Sequence, residues 1–193
     1  MRYRRCSIGL GLAVALFVLP LTAQTQAMDP ERSFCTVRVF KAGMFSAFGH
    51  EHEVRAPLSE GTVQEGEAAR VELRVEARQL KVLDPGRPEQ ERAEVQQTML
   101  SPKVLDSERF PEIRFRSTTV ETKGADDWQV RGELMLHGQT HPLVMEVTRK
   151  EGRYRGTVAL KQTDFGITPV RVGGGTVKVK DEVRVEFEIA LKQ

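Results

Sequence analysis

The chain of 193 residues carries 29 basic and 27 acidic side chains, so its formal net charge is only +2. This balance gives no reason to expect nucleic acid or an acidic surface as a partner, since both select strongly basic proteins. The length suits one domain that can bury a substantial hydrophobic core.

Residues 1–27 are typical of a secretory signal peptide. Arg2, Arg4 and Arg5 form a basic start, residues 8–21 are mostly apolar, and Ala27 ends the segment with a small side chain. The apolar stretch is shorter than the roughly 20 residues that a membrane-spanning helix needs. We therefore expect cleavage and no stable membrane span, with an uncleaved anchor as the alternative. Residues 28–193 would then form a single periplasmic domain.

Cys35 is the only cysteine that remains once this leader is removed. An exported protein with a single thiol has no internal disulfide, so packing and strand pairing must stabilise it. Because Cys35 lies at the start of an alternating apolar pattern, we interpret it as a small buried residue rather than a nucleophile.

Alternation of apolar and polar residues predicts strands through most of the chain. The pattern covers residues 34–41, continues through a bent, glycine-containing segment at 44–53, and is clearest at 69–80. Residues 59–64 are short and polar before a hairpin tip at 65–67. Later strands are separated by turn residues and are predicted at 113–117, 128–136, 141–148, 153–162 and 183–191.

One helix is predicted between the early and late strands, at residues 89–100. Pro88 suits its first turn, Glu89 and Glu91 lie near its positive end, and Pro102 follows its last residue. The helix is amphipathic enough to lie against a sheet or to cover an opening. About eight strands, each with one apolar face, are compatible with two folds, a two-layer sandwich and a closed barrel. Closure into a barrel removes the exposed strand edges.

Four short motifs make the chain recognisable at this point. They occupy residues 106–115, which include Phe110-Pro111, and then 132–143, 164–167 and 181–185. In order and spacing these motifs resemble the YceI-like family, and the resemblance extends over residues 34–191. It implies an all-β fold, an eight-stranded antiparallel lipocalin-like β-barrel with one short helical segment. It also implies a long isoprenoid or fatty-amide chain bound in the lumen, and a homodimer.

The resemblance places the ligand-binding residues on inward faces of the strands. They are Phe45, Phe48, Leu73, Val75, Phe115, Leu134 and Leu136, with Phe165 and Ile167 near the loop after a late strand. Each methylene removed from water contributes about 0.8 kcal/mol, so ten buried carbons offer roughly 8 kcal/mol before ordering costs. We therefore expect a non-enzymatic carrier or sequestering protein that needs no cofactor.

The histidines support a different hypothesis, metal binding. His50 and His52 share one strand face, close enough for both imidazoles to reach one ion, and His141 or His137 could supply a third ligand. The family pattern has a single histidine where this chain has two. Polar residues at strand ends are the alternative interpretation of all four.

The sequence offers less support for other functions. It contains neither a G-x-S-x-G elbow nor an H-E-x-x-H helix, and residues 173–175 are glycines between strands rather than before a helix. Arg114, Arg116 and Arg155 could hold a phosphate headgroup at a barrel mouth, although exposed strand faces carry such residues routinely. A structural role in an envelope complex is a further alternative.

Overall fold

The computed structural model describes residues 24–42, 52–172 and 177–192. Within these ranges strands dominate, a single α-helix interrupts them, and two short 3-10 turns lie at Ala77–Gln79 and Gln162–Phe165. In chain order the elements are β1 (Thr25–Ala27), β2 (Phe34–Ala42), β3 (His52–Gln64), β4 (Arg70–Glu76), β5 (Lys81–Val82), α1 (Glu89–Leu100), β6 (Glu112–Thr122), β7 (Asp127–Leu136), β8 (Gln139–Lys150), β9 (Arg153–Lys161), β10 (Arg171–Val172) and β11 (Val177–Ala190).

Eight of these strands close into an antiparallel barrel. Their order around the barrel is β3-β2-β11-β9-β8-β7-β6-β4, and pairing between β4 and β3 completes the ring. The short strands β1, β5 and β10 pair with β3, β3 and β11 respectively. The predicted eight-stranded barrel with one helix is therefore confirmed.

Antiparallel order sends successive connections to opposite ends of the barrel. At one end, the hairpin end, residues 65–69, 123–126 and 151–152 join their strands. At the other, the helix end, lie α1 and the Gln162–Phe165 turn. The tightest connection at each end is a two-residue turn, and in both turns, His137-Gly138 and Glu151-Gly152, the two central residues have positive φ. This conformation matches the twist of paired strands.

Strand register sets one apolar face inward all around the barrel. Phe115 of β6 is flanked by Leu73 of β4 and Leu134 of β7, each its direct register partner. Outward positions carry charges that pair across strands, such as Arg116 with Glu72 at 3.3 Å. Exposed pairs of this kind contribute at most about 1 kcal/mol, so the stability of the barrel rests on its inner face and its ladders.

Two early strands differ from the prediction. The segment 52–64 is one continuous strand rather than a bent piece and a short polar piece, with a register shift between Leu58 and Glu60. Gly61 makes this possible, because a Cβ there would lie 2.8 Å from Leu73 Cδ2. The strand predicted at 69–80 ends at Glu76. Ala77 N–H still donates to the carbonyl of Pro111, the next residue in register, but proline has no N–H to donate back, and a 3-10 turn begins at Ala77.

The helix has the predicted bounds and is fastened by one side chain. The Gln96 amide donates to the Leu80 carbonyl at 2.7 Å and accepts from the Val82 N–H at 2.8 Å, so it pairs with the chain as a neighbouring strand would. Val95 and Met99 pack against the core. None of the helices in the described ranges has the length and apolarity to cross a membrane.

Candidate functional site

The barrel interior contains two apolar cavities that meet at a constriction. The larger has a volume of about 430 Å³ and reaches the hairpin end, and the smaller, about 210 Å³, lies beneath α1. Six residues border both cavities and define what we call the waist: Cys35, Leu73, Phe115, Leu134, Leu160 and Val185. The two cavities therefore lie on either side of the waist in the barrel interior.

The larger cavity ends in a polar cluster at the hairpin end. The Tyr154 hydroxyl donates to Glu65 Oε1, and Arg149 Nη1 lies 3.1 Å from the same oxygen. Arg149 Nε also lies 2.9 Å from Asp126 Oδ1, and its guanidinium stands 5.6 Å from the Trp128 ring centroid. Burial, with the hydrogen bond to Glu65 as the next cause, raises the pKa of Tyr154 to about 12. The phenol thus stays a neutral donor at the cavity end.

A third, polar cavity of about 350 Å³ lies on the outer side of this cluster. It shares Glu65 and Tyr154 with the larger apolar cavity, and Arg32, Arg149 and Lys192 add positive charge to its wall. An amphiphile could place a polar group here and an apolar chain in the lumen.

The smaller cavity is roofed by the joint between α1 and β6. Met99, Val104 and Leu105 line it from above, opposite wall residues that include Val75 and Ile113. Backbone hydrogen bonds hold the joint, among them Leu105 N–H to the Met99 carbonyl at 3.0 Å. The expectation that this helix covers the barrel agrees with that position.

The structure places most predicted ligand-binding residues at the lumen. Leu73, Val75, Phe115, Leu134, Leu136 and Ile167 line one or both cavities. Phe165 is buried, yet its ring packs edge-on against His141, with centroids 5.1 Å apart. Phe45 and Phe48 lie outside the described residues. That these residues bind a ligand stays a prediction.

Sequence reasoning missed half of the waist and the whole polar cluster. The waist residues Cys35, Leu160 and Val185 each lie on a strand that the alternation predicts, so their inward direction was readable. The sequence pattern does not show which strands are neighbours in the sheet, because β2 pairs with β11, which lies at the other end of the chain. The contact between Glu65 and Tyr154 likewise depends on pairing between distant strands, and no local motif predicts it.

Within the described ranges, His137 and His141 both contact Phe165, whereas His52 pairs with an aspartate. His52 Nδ1 lies 2.6 Å from Asp84 Oδ2, and this carboxylate, only 1% exposed, also accepts from the Glu53 N–H at 2.8 Å. His141 packs on Phe165, and His50 lies outside the described residues. In those ranges no three His, Cys, Asp or Glu side chains form a group that could hold a metal ion. Metal binding stays a prediction.

The remaining candidates have ordinary surroundings. Arg114, Arg116 and Arg155 pair on the outer surface with Glu112, Glu72 and Glu188, so a phosphate there would compete with carboxylates. Burial raises the pKa of the Cys35 thiol to about 12. Such a thiol is a poor nucleophile at neutral pH, in agreement with its interpretation as a small buried residue.

Comparison with known families matches residues 27–191 to the YceI-like domain. Curated relatives include UPF0312 proteins of Pseudomonas syringae pv. tomato, 36% identical over 106 residues, and of Vibrio cholerae, 32% identical over 104 residues. These alignments cover 50% and 49% of this chain and 53% of each relative, so the chain spans about half the length of the curated relatives it matches.

Two solved structures share the fold. Burkholderia cenocepacia BcnA superposes with a TM-score of 0.63 at 16% identity, covering 86% of this chain and 99% of that one. A polyisoprenoid binding domain from Saccharophagus degradans, implicated in plant cell wall breakdown, superposes with a TM-score of 0.58 at 14% identity, covering 86% and 97%. At these identities the likeness shows the fold alone.

Proposed function

The chain belongs to the YceI-like family, and from this premise we propose that it is a non-enzymatic carrier or sequestering protein for long apolar or amphiphilic chains. The chain of the ligand would lie in the barrel lumen, and an isoprenoid or fatty-amide-like molecule fits that description. The signal-peptide pattern of residues 1–27 supports a periplasmic location for this activity.

The observation that carries the proposal is the lumen itself. Small-molecule sites are concave, mostly apolar and about 300–1,000 Å³ in volume, and the larger cavity, at about 430 Å³, falls in that range. Aliphatic and aromatic side chains dominate its wall, and its charged groups, Glu65 and Glu67, lie at one end. A wall of this kind stabilises an apolar chain through its transfer out of water.

The polyisoprenoid binding domain of Saccharophagus degradans supports the choice of ligand class, because it shares this barrel fold. This chain and that domain differ in most of their residues, so the ligand of this chain must be tested directly. The polar cavity beside Tyr154 further supports an amphiphile over a plain hydrocarbon.

Extraction and thermal stability together test the proposal. Protein purified from bacteria is extracted with organic solvent, the extract is analysed by mass spectrometry, and the delipidated protein is titrated with isoprenols and fatty amides. At a ligand concentration of 100 times Kd we expect a gain of about 2.7 kcal/mol, which raises Tm by roughly 5–10 °C for a domain of this size. An Arg116→Gln variant, altered only on the outer surface, should show the same gain. Folded protein that yields no lipid and no shift with any chain would refute the proposal.

A second candidate function is metal binding through His50, His52 and His141. The contact of His52 Nδ1 with the buried Asp84 carboxylate favours it, because metal-binding histidines commonly donate their other ring N–H to a carboxylate. Metal analysis of protein purified without a His tag, beside a His50→Ala, His52→Ala variant, tests it. Stoichiometric metal lost in the variant supports this function, and no metal in either protein ends it.

A further inference from the structure

Among the eight strand pairings that close the barrel, the shortest is the one between β8 and β9. β8 pairs with β7 through ten residue pairs, but with β9 only through four, from Lys150↔Arg153 to Val147↔Gly156. On its other side β9 pairs with β11 along its entire length. Residues 139–146 of β8 and 157–161 of β9 therefore each have one ladder neighbour, and we call this pair of edges the seam.

Gly156 marks the point where the two strands part. A methyl group at this position would overlap the Glu146 carbonyl oxygen and the Phe187 ring. A glycine inside a strand commonly marks such a close approach or a bend in a barrel wall. Gly156 therefore lets β8 and β9 approach closely at the last pair of their ladder.

Inward-facing side chains on both edges of the seam line the larger cavity. Leu143 and Met145 of β8 and Val158 and Leu160 of β9 all belong to its lining. At the helix end the seam is closed by Phe165, whose ring packs on His141. Between that ring and the four-pair ladder, the lumen meets the barrel surface along two apolar edges.

The outer side of the seam differs from the rest of the barrel surface. The exposed side chains along its middle are uncharged: Thr140, Pro142 and Val144 on β8, and Thr157 and Ala159 on β9, with the exposed charges Glu146 and Lys161 at its ends. Val144, 48% exposed, is the one large hydrophobic side chain of the described residues that is strongly exposed. By contrast, the outward face of β4 presents Glu72, Arg74 and Glu76 in succession.

We propose that the seam is the lateral portal through which an apolar chain enters and leaves the larger cavity, an inference that rests on the proposed lumen-binding function. The alternative routes are fastened. Opening the hairpin end breaks the contacts of Glu65 with Tyr154 and Arg149, and opening the helix end breaks both hydrogen bonds of Gln96. Opening the seam breaks no ladder bond, and a chain that passes through its middle, between Val144 and Ala159, meets uncharged side chains.

A cross-link across the seam tests the portal. Val144→Cys and Ala159→Cys are introduced with Cys6 and Cys35 replaced by alanine, and a short, reducible bis-thiosulfonate linker joins the two new thiols. Arg116→Cys with Glu133→Cys, register partners on the fully paired strands β6 and β7, is the matched control. Stopped-flow fluorescence of cis-parinaric acid gives the uptake and release rates.

We expect the seam cross-link to slow uptake and release about tenfold while Kd changes by less than about twofold, because a portal sets rates rather than equilibrium affinity. Reductant should restore both rates, and the control cross-link should alter neither. Equal rates in the cross-linked seam variant and the control would refute the portal. Absence of binding in every variant, including the reduced ones, would instead refute the lumen-binding function.

A variant without a linker gives an independent measurement. Val144→Glu with Ala159→Glu places charge on both rims of the seam, and near-ultraviolet circular dichroism verifies its fold. Slower exchange with unchanged Kd supports the portal. Unchanged exchange, accompanied by a change from dimer to monomer in sedimentation, would show that the edges pair with a second copy and that the portal is wrong.

Discussion

A Val185→Phe substitution should shorten the chain that the lumen accepts. Val185 lies on β11 at the waist, in register with Val37 on one side and Val158 on the other. A phenyl ring there extends into space that both cavities border. It therefore fills space at the waist, between the larger and the smaller cavity, without touching the outer surface.

The two expected effects have opposite signs. The substitution adds four side-chain carbons that lumen walls remove from water, so the free energy of unfolding should rise, by at most about 3 kcal/mol. A ligand carbon excluded from the smaller cavity costs about 0.8 kcal/mol, nearly a fourfold increase in Kd. A chain that places five carbons beyond the waist should then bind about a thousandfold more weakly.

The assay is Kd against chain length, measured with isoprenols from geraniol to geranylgeraniol. In the native protein the affinity should rise with each unit, whereas in Val185→Phe it should stop rising once the chain fills the larger cavity. Val71→Phe, which adds the same ring to the larger cavity away from the waist, is the control and should retain the rise at lower affinity. A stable Val185→Phe protein with the native dependence on length would show that the chain does not pass the waist.

Three further substitutions test the fold and the polar cluster. Gly132→Ala should destabilise the barrel by about 1–3 kcal/mol in urea unfolding, because its Cβ would lie 2.5 Å from both the Arg116 carbonyl and the Phe115 ring; unchanged stability would contradict this packing. Gln96→Leu should cost about 1–3 kcal/mol and speed hydrogen exchange in α1, as it removes both bonds that fasten the helix; native exchange would show another anchor. Tyr154→Phe should lose less of its free energy of unfolding at alkaline pH than the native protein. The raised pKa of Tyr154 contributes stability that is complete below pH about 10 and is lost as the pH rises through about 12. Equal dependence of unfolding free energy on pH in the two proteins would contradict this role.

The strands and the helix could be predicted because their signals are local. Cys35, Val37 and Val39 alternate with polar neighbours whatever strand lies beside them, and all three border the lumen. Pro88 and Pro102 bracket the helix in the same local way. The number of strands with one apolar face leaves a two-layer sandwich and a closed barrel open, and the resemblance to the YceI-like family favours the barrel.

What could not be predicted depends on pairing between distant segments. β4 ends at Glu76 because the next residue in register opposite it is Pro111, which has no N–H for the ladder, and the pattern of residues 69–80 does not encode that partner. The seam is a second case, since the alternation of Val158 and Leu160 in β9 resembles that of a fully paired strand. Only the register shows that the partner strand has departed at Gly156.

The cavities in the lumen are too large to be incidental packing defects. Side-chain loss in a core costs about 24 cal/mol per Å³ of cavity, so the larger cavity, at about 430 Å³, corresponds to roughly 10 kcal/mol relative to a packed interior. That penalty is comparable with the whole net stability of an ordinary domain. A larger apolar residue at Val185 or Val71 would recover at most about 3 kcal/mol of it by a single substitution. A chain of about ten carbons returns roughly 8 kcal/mol on transfer from water, so a bound apolar chain offsets most of the penalty that the open barrel incurs.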